Sequence, residues 1–153
     1  MNNSILKDGV PVALCSDHAG YRIKEVIKRW LESQGVPFKD FGTHSEESCD
    51  YADFAHLCAS AIELGECYPG IAVCGSGQGV NITLNKHQDV RSALCWNLEV
   101  ARLARQHNDA NAIALPGRFI TEKEAIAMVE AFLTCPFEAQ RHERRISKIP
   151  IKK

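Results

Sequence analysis

The stretch "GIAVCGSGQGV", residues 70 to 80, joins a short apolar run to three glycines at alternate positions. A short apolar run bounded by turn residues is typical of a strand buried on both faces. Glycines permit the backbone conformations of a tight turn, and residues 79–86 are predicted to begin a short helix. The stretch therefore indicates a strand–loop–helix unit, the repeating element of an α/β fold.

The same alternation of strand and helix extends to both sides of this unit. Strands are predicted in "VPVALCS" (10–16), "VPFKDFG" (36–42), "GIAVC" (70–74), "VRSALCW" (90–96) and "NAIALPG" (111–117). Helical periodicity is found in residues 21–35, 50–65, 97–108 and 121–133, and a last helix is predicted at about 137–149. This order predicts a single domain over residues 1–153, an α/β, Rossmann-like three-layer sandwich with a five-stranded parallel sheet.

Local signals mark where several of these helices begin and end. Asp50 is a candidate N-cap, and Gly65 is a stop signal for the same helix. Thr121 and Glu124 have the spacing of a capping box. Pro136 ends the helix that follows from them.

Composition restricts the class of protein. Hydrophobic residues make up 45% and charged residues 24% of the chain, as in ordinary globular proteins, and no apolar run has the length of a membrane span. The start "MNNSILKDGVPV" lacks the pattern of a secretory signal, so a cytoplasmic protein without a membrane partner is expected. The tail from residue 137 is basic, but it lacks interleaved aromatics and the net charge is −1, so nucleic acid is not an expected partner.

The seven cysteines favour reduced thiols over a structural framework. Their number is odd and no two are spaced as C-x-x-C. Zinc frameworks use close pairs of Cys or His, which the sequence lacks, so neither a metal nor another cofactor is expected. Most of these cysteines are predicted to be small buried residues.

The glycine loop does not fit the nucleotide-binding patterns. Val80 stands at the third position of a G-x-G-x-x-G fingerprint, and the P-loop pattern also fails. Alternating glycines can instead point successive N–H groups into one concavity that attracts negative charge. Such a field also favours a thiolate at Cys74, and a base beside an oxyanion hole suits proton abstraction next to a carbonyl. A tight turn with a buried structural cysteine is the alternative.

Other polar groups follow predicted strands or close predicted helices. Asp17 and His18 come directly after the first strand, where ligands bind in open parallel sheets; Asp17 as a mere helix cap is the alternative. His107 and Asn108 close a predicted helix, where they either form a C-cap, with Asn108 in the left-handed conformation, or leave His107 as a proton shuttle. Arg141 and Arg145 share a helix face with Arg144 and Lys148, and this face either grips a phosphate or is simply solvated.

Taken together, these residues resemble the type B ribose-5-phosphate isomerase family, which also contains galactose- and allose-phosphate isomerases. The resemblance spans about residues 12–146. The segments that carry it are "DHAGY", "FGTHSEESCDYADFA", "CGSGQGVNITLNK", "VRSAL", "RQHNDANAIALPGR" and "QRHERRI".

The resemblance implies an enzyme of carbohydrate metabolism in the pentose phosphate pathway. It implies a metal-independent aldose–ketose isomerase acting through a cis-enediolate, most simply on ribose 5-phosphate and ribulose 5-phosphate. The implied catalytic set is Cys74 as the base, the amides of the glycine loop with Ser76 as the enediolate hole, His107 for ring opening and Asp17 as the partner that helps position the ring oxygen or hydroxyls. The implied substrate-binding set is His18, Tyr51, Gly75, Gly77, Gly79, Asn108, Arg118, Arg141 and Arg145. The resemblance further implies a homodimer with sites shared between chains.

The sequence departs from the family pattern in ways that bear on the substrate. One branch of the family uses a glutamate where this chain has Val80, so the resemblance is to the thiol branch. "TLNK" replaces the usual "AANK", and Ala52 follows Tyr51 where proline is common. Another sugar phosphate (allose or galactose 6-phosphate, or a tetrose phosphate) is therefore an alternative substrate. A non-catalytic sugar-phosphate- or nucleotide-binding protein is the alternative of another class, and it would need the phosphate grip but not the thiol.

Overall fold

Five parallel strands form one sheet in the computed structural model, which describes residues 5–152. The strands are β1 Val12–Ser16, β2 Phe38–Asp40, β3 Gly70–Cys74, β4 Ser92–Leu94 and β5 Ala112–Pro116, and their spatial order is β2-β1-β3-β5-β4. The helices are α1 Tyr21–Ser33, α2 Tyr51–Glu63, α3 Gln78–Leu84, α4 Leu98–Gln106, α5 Glu122–Thr134 and α6 Arg141–Ile146. The α/β sandwich with a five-stranded parallel sheet is confirmed. Residues 1–4 and 153, which belong to the predicted domain, lie outside the described residues.

The two faces of the sheet bury side chains of different size. One face contributes Leu14, Val73 and Ile113 to a core with α1, α4 and α5. The other contributes small residues such as Ala13, Ala72 and Cys15 to a core with α2 and α3. Small side chains allow these two helices to approach the sheet closely, which explains why buried cysteines concentrate on this face.

The chain reverses direction across the sheet between β1 and β3. From β1 it passes through α1 to β2 on one side, whereas the later strands all lie on the other side of β1. The helices that follow β1 and β3 also cover opposite faces, since α1 packs in one core and α3 in the other. A crevice therefore opens at the carboxyl ends of β1 and β3, which is the usual ligand position in open α/β sheets.

The helix ends agree with several of the predicted signals. Thr121 and Glu124 form the predicted capping box, with both reciprocal hydrogen bonds present. Asp50 occupies the N-cap of α2, although its side chain makes no capping hydrogen bond. Gly65 has a φ of 73°, as a glycine that ends a helix requires. Among residues 5–152, no helix combines the length and the apolar character that crossing a bilayer requires.

The last helix is shorter than the predicted range of about 137–149. It spans Arg141–Ile146, because Ala139 and Gln140 have φ values of 58° and 55° and so break the helical path. Arg141 and Arg145 belong to the helix, whereas Lys148 lies beyond it.

Candidate functional site

Three loops converge at the carboxyl edge of the sheet, around the end of β3. The backbone N–H of Asp17 donates to the carbonyl of Val73 (3.2 Å), and the N–H of Gly117 donates to the carbonyl of Cys74 (2.8 Å). The N–H of Arg118 donates to the carbonyl of Gly75 (3.0 Å). The loops after β1 and β5 are thereby fixed against both sides of the glycine loop.

The glycine loop leaves a row of backbone donors free. Within residues 5–152, the N–H groups of Gly75, Ser76 and Gly77 have no hydrogen-bond acceptor. The Ser76 hydroxyl accepts from the N–H of Gln78 (3.3 Å), at the first turn of α3. Consecutive unpaired N–H groups are the donors of an anion-binding nest, so the loop can hold a negatively charged oxygen.

Gly77 is required by both conformation and space. Its φ is 75°, in the left-handed region. A Cβ at this position would stand 2.5 Å from Cδ1 of Leu94 and 3.0 Å from the carbonyl carbon of Leu115. The loop therefore turns tightly over the ends of β4 and β5 only because this residue has no side chain.

The Cys74 thiol lies at the base of this loop. Cys74 is the last residue of β3 and pairs in register with Pro116 of β5. It is 4% exposed, and its side chain belongs to the core of α2 and α3. The sulfur is thus shielded from bulk water, and the next residues along the chain carry the free N–H groups of the glycine loop.

Two larger side chains close over the loop from either side. The ring of Tyr51, at the start of α2, lies so close to Gly79 that a Cβ there would be 2.6 Å from Cζ. The side chain of Arg118 lies over Gly75, where a Cβ would be 3.2 Å from Nη1. An aromatic ring and a guanidinium therefore flank the free amides, and a guanidinium can bind a phosphate through two hydrogen bonds.

Asp17 and His18 are held in defined orientations. Asp17 is 6% exposed, and its Oδ1 accepts the N–H of Gly20 (2.9 Å) ahead of α1. The Nδ1 atom of His18 accepts the N–H of Cys49 (3.2 Å). Because Nδ1 is the acceptor, the neutral ring carries its proton on Nε2, which makes Nε2 a donor for an anionic ligand.

His107, Asn108, Arg141 and Arg145 lie at the opposite, amino edge of the sheet. Helix α4 runs back against the strand direction, so His107 at its C-cap lies near the start of β5. The N–H of Glu138 donates to the carbonyl of Gln106 (3.0 Å) and brings α6 to the same edge. The length of β5 separates this group from Cys74 by roughly 15 Å. Within one chain, the predicted site residues therefore form two separate groups, one at each end of the strands.

Two arginines that sequence reasoning missed fix the loop after His107. Nη1 of Arg105, which is buried, donates to the carbonyl of Ala110 (2.6 Å) and lies 2.9 Å from Oδ1 of Asp109. Arg91 donates to the carbonyls of Asn108 (3.1 Å) and Asp109 (2.9 Å). The left-handed residue here is Asp109, with a φ of 45°, rather than Asn108. Neither arginine stands at a sequence spacing that predicts its contact with this loop.

His142 and Glu138, also missed, surround His107. The rings of His107 and His142 stack with centroids 4.3 Å apart. Oε2 of Glu138 lies 3.7 Å from Nε2 of His107 and 3.8 Å from Nε2 of His142. Burial lowers the pKa of His142, and the charges of Arg141, His107 and Arg145 lower it further, against the opposing effect of Glu138. In the sequence, His142 stands among the arginines of "RHERR", and only the structure shows that it contacts His107 and Glu138.

The chain is an isomerase with a Rossmann-like α/β fold, as its relatives and structural neighbours show. The chain belongs to the Ribose/Galactose Isomerase family, whose profile matches residues 12–149.

Solved structures and a curated relative support this assignment. A ribose 5-phosphate isomerase from Thermotoga maritima shares 45% identity and a TM-score of 0.90, covering 93% of this chain and 98% of that one. Ribose-5-phosphate isomerase B from Mycoplasma genitalium, solved with bound ribulose-5-phosphate, shares 38% identity and a TM-score of 0.87, covering 92% and 94%. Ribose-5-phosphate isomerase B from Escherichia coli K12 is 37% identical over 138 residues, 90% of this chain and 93% of that protein.

Proposed function

We propose that this protein interconverts ribose 5-phosphate and ribulose 5-phosphate through a cis-enediolate, with Cys74 as the base. The observation that carries the proposal is the buried thiol of Cys74, which is followed directly by the amides of Gly75, Ser76 and Gly77, for which residues 5–152 offer no acceptor. The relatives named as ribose-5-phosphate isomerases, and the bound ribulose-5-phosphate in the Mycoplasma genitalium structure, support this substrate.

The proposed chemistry is a proton transfer between two neighbouring carbons. His107 opens the sugar ring by moving the proton of the anomeric hydroxyl to the ring oxygen, while Asp17 helps position the ring oxygen or hydroxyls. The Cys74 thiolate then takes the proton from C2 of the open aldose, a C1–C2 double bond forms, and the carbonyl electrons move onto O1. The same thiol returns the proton to C1, while the proton of the C2 hydroxyl passes to O1 and O2 becomes the ketose carbonyl.

The amides of the glycine loop stabilise the charge that develops in this step. Preorganised donors aimed at a developing oxyanion need no reorganisation during the reaction. The amides from Gly75 to Gly79, with the hydroxyl of Ser76, would hold the enediolate oxygens. Within residues 5–152, Oδ2 of Asp17 makes no hydrogen bond, so this oxygen remains available to a sugar hydroxyl or ring oxygen.

We further propose that a complete site needs two copies of the chain. Cys74 and Asp17 lie at the carboxyl edge of the sheet, whereas His107 and Asn108 lie at the amino edge. A homodimer that places the amino edge of one chain against the carboxyl edge of its partner would unite both groups. The phosphate would then be held by His18 and Arg118 together with Arg141 and Arg145, whose guanidinium groups suit bidentate phosphate binding.

A hexose or tetrose phosphate is the second candidate substrate. The family takes its name from isomerases of two sugars, ribose and galactose. Tyr51 is 44% exposed at the rim and is followed by Ala52. Proline is common at this position in the family, so the rim of this chain lacks a ring that related proteins have there. A rim of different shape would alter the length of sugar accepted while leaving the proton-transfer groups unchanged.

The test is an isomerisation assay on a panel of aldose phosphates, comparing wild type with Cys74→Ala and Cys74→Ser. Loss of the base should lower the turnover by about 10²- to 10⁴-fold, while circular dichroism and sugar-phosphate binding stay near those of wild type. Cys135→Ser is the matched control, because Cys135 follows α5 outside the site. In D₂O, the ketose should carry deuterium at C1 in proportion to the exchange of the thiol proton with solvent before it is returned.

Near-normal turnover of both Cys74 variants would remove the thiol from the mechanism. Binding of sugar phosphates by the wild type without turnover of any substrate would instead favour the non-catalytic alternative. Faster turnover of a hexose or tetrose phosphate than of ribose 5-phosphate would establish the second candidate substrate.

A further inference from the structure

We propose that His107, Glu138 and His142 form a binding site for Zn²⁺, and that an ion held there inhibits the enzyme. The inhibition rests on the proposed role of His107 in ring opening. The existence of the site does not depend on that role, and the two claims are therefore tested by separate measurements.

The distances suit a common metal ion. The three ligand atoms, Nε2 of each histidine and Oε2 of Glu138, lie within 4.8 Å of one another. The carboxylate oxygen is 3.7 Å from one nitrogen and 3.8 Å from the other. Tetrahedral zinc with bonds of about 2.0–2.1 Å requires ligand atoms roughly 3.3 Å apart, so the oxygen–nitrogen distances need to shorten only slightly. Because the two imidazole rings are stacked, each must also turn about its Cβ–Cγ bond until the lone pairs of both Nε2 atoms point at the same ion position.

His142 supplies an independent indication that a ligand belongs here. It is 4% exposed, and its Nε2 is buried without a hydrogen-bond partner among the described residues. A buried polar atom without a partner is uncommon and costly in folded proteins. A metal ion at the centre of the group would satisfy this atom.

The donor set selects the class of metal. Two imidazoles and one carboxylate are the protein ligands of zinc sites that keep a fourth position for water. Imidazole nitrogens also bind Co²⁺, Ni²⁺ and Cu²⁺, whereas Mg²⁺ and Ca²⁺ prefer sites made of oxygen ligands only. The site should therefore take late first-row divalent ions, with Zn²⁺ as the physiological candidate and Co²⁺ as its spectroscopic substitute.

Neighbouring positive charges lower the affinity of the site for Zn²⁺. Arg141 and Arg145 repel a divalent cation, and the single carboxylate of Glu138 offsets them only in part. A phosphate held by these arginines would remove the repulsion. Inorganic phosphate should therefore increase the affinity for Zn²⁺, whereas at a site remote from the arginines it would not.

A second histidine cluster, on the opposite helical layer, provides the control. Nδ1 of His56 lies 2.8 Å from Nε2 of His87, and Nδ1 of His87 is hydrogen-bonded to Glu63. Both nitrogens of His87 are thus already engaged within the protein. Removing this pair leaves the proposed site intact and controls for binding to surface histidines.

The experiment titrates the apo full-length protein with Co²⁺ and displaces it with Zn²⁺, following the visible bands of the cobalt ion. The test variants are Glu138→Gln and His142→Gln, and the controls are His56→Gln/His87→Gln and Cys74→Ser, the latter excluding a thiolate ligand. Both test variants should lose affinity by about tenfold or more, since even partners outside the ligand shell contribute that much. The controls should bind as wild type does. Because Glu138 is 49% exposed, Glu138→Gln is expected to fold even if His142→Gln does not.

Inhibition is measured separately on isomerase activity. Wild type should lose activity at the Zn²⁺ concentrations that fill the site, and Glu138→Gln should resist them by the same factor as its loss of affinity. Unchanged metal affinity in Glu138→Gln would overturn the site. A filled site with undiminished turnover would overturn the inhibition. If the enzyme isomerises no sugar phosphate, the proposed function fails, but the cobalt titration still decides the site.

Discussion

Cys74 and His107 lie at opposite edges of one sheet, although the proposed reaction needs both. Cys74 ends β3, whereas His107 caps the C-terminus of α4, which runs back toward the start of β5. Because the length of a five-residue strand separates the two residues, no loop movement short of unfolding the strand would bring them together. A shared site in a homodimer resolves this separation, and a complementation experiment tests it.

We expect two inactive variants to restore activity when their subunits are exchanged. Cys74→Ala and His107→Gln should each lose most turnover as homodimers. Mixed dimers contain one site with both changes and one site with neither, so a statistical mixture of equal amounts should recover about one quarter of wild-type activity. Activity after partial unfolding and refolding of the mixture measures this recovery.

Recovery is expected only if the two residues act in trans. A mixture that stays as inactive as its components, although mass spectrometry shows mixed dimers, would place both residues in one chain's site or remove one of them from catalysis. Cys74→Ala mixed with Asp17→Asn is the matched control, since both residues lie at the same edge and no intact site can form.

Replacing Gly79 by alanine should disturb the rim through Tyr51. The new Cβ would stand 2.6–2.8 Å from three atoms of the Tyr51 ring, so the ring must move. We expect a higher KM with a smaller change in kcat, because Tyr51 is assigned to substrate binding. In the double variant Gly79→Ala/Tyr51→Ala, the alanine at 79 should add little to the effect of Tyr51→Ala. Additive effects in the steady-state parameters would show that the clash is not the cause.

The fold was predictable because its signals are local. The run at residues 70–74 is apolar at every position and is followed by glycines, and the observed β3 has the same bounds. Thr121 and Glu124 identified the start of α5 to the residue. The order of strands in the sheet was not predictable from such local signals, because the position of β5 between β3 and β4 depends on how the helices pack.

The site was predictable only where motifs are contiguous. Asp17, His18 and the loop from Cys74 to Gly79 follow strands, and they do meet at one edge. The contacts of Arg105 with Ala110 and of His142 with His107 depend on tertiary packing. The helix at about 137–149 was predicted too long because a positive φ at Ala139 and Gln140, neither of them glycine, has no compositional signal.

Arg118 and Arg141 should be energetically coupled if they hold the same phosphate. Arg118 lies over Gly75 at the carboxyl edge, and Arg141 begins α6 at the amino edge. Each alanine variant should weaken substrate binding by about 1–3 kcal/mol, as expected for charged hydrogen bonds. The double variant should lose less than the sum, with a coupling of about 0.5 kcal/mol or more.

Binding of ribose 5-phosphate by calorimetry measures this cycle, and Arg102→Ala on the exposed side of α4 is the control. Strict additivity would mean that the two arginines do not share a ligand. Since the residues lie at opposite edges of one chain, coupling between them would also count as evidence for the shared site.

Asp40 should stabilise the protein mainly by neutralising a buried lysine. The side chain of Lys24 is fully buried, and its Nζ lies 2.6 Å from Oδ2 of Asp40 and 3.1 Å from Oε1 of Glu25. Burial alone raises the pKa of Asp40, but the hydrogen bonds from Lys24 and Gly42, with the charges of Lys24 and His44, outweigh it and hold that pKa below its ordinary value. Asp40→Asn should therefore lower the free energy of unfolding by about 3 kcal/mol at neutral pH.

The pH dependence has a definite sign. A carboxylate whose folded pKa is lowered contributes its full stabilisation above the unfolded pKa, about 3.9 for aspartate, and loses it as the pH falls through the folded value. Urea unfolding should show the gap between wild type and Asp40→Asn closing below about pH 4. Lys24→Met, which removes the buried charge itself, should cost less than Asp40→Asn. A gap that stays constant down to the acid transition would show that Asp40 acts through packing or its bond to Gly42 rather than through its charge.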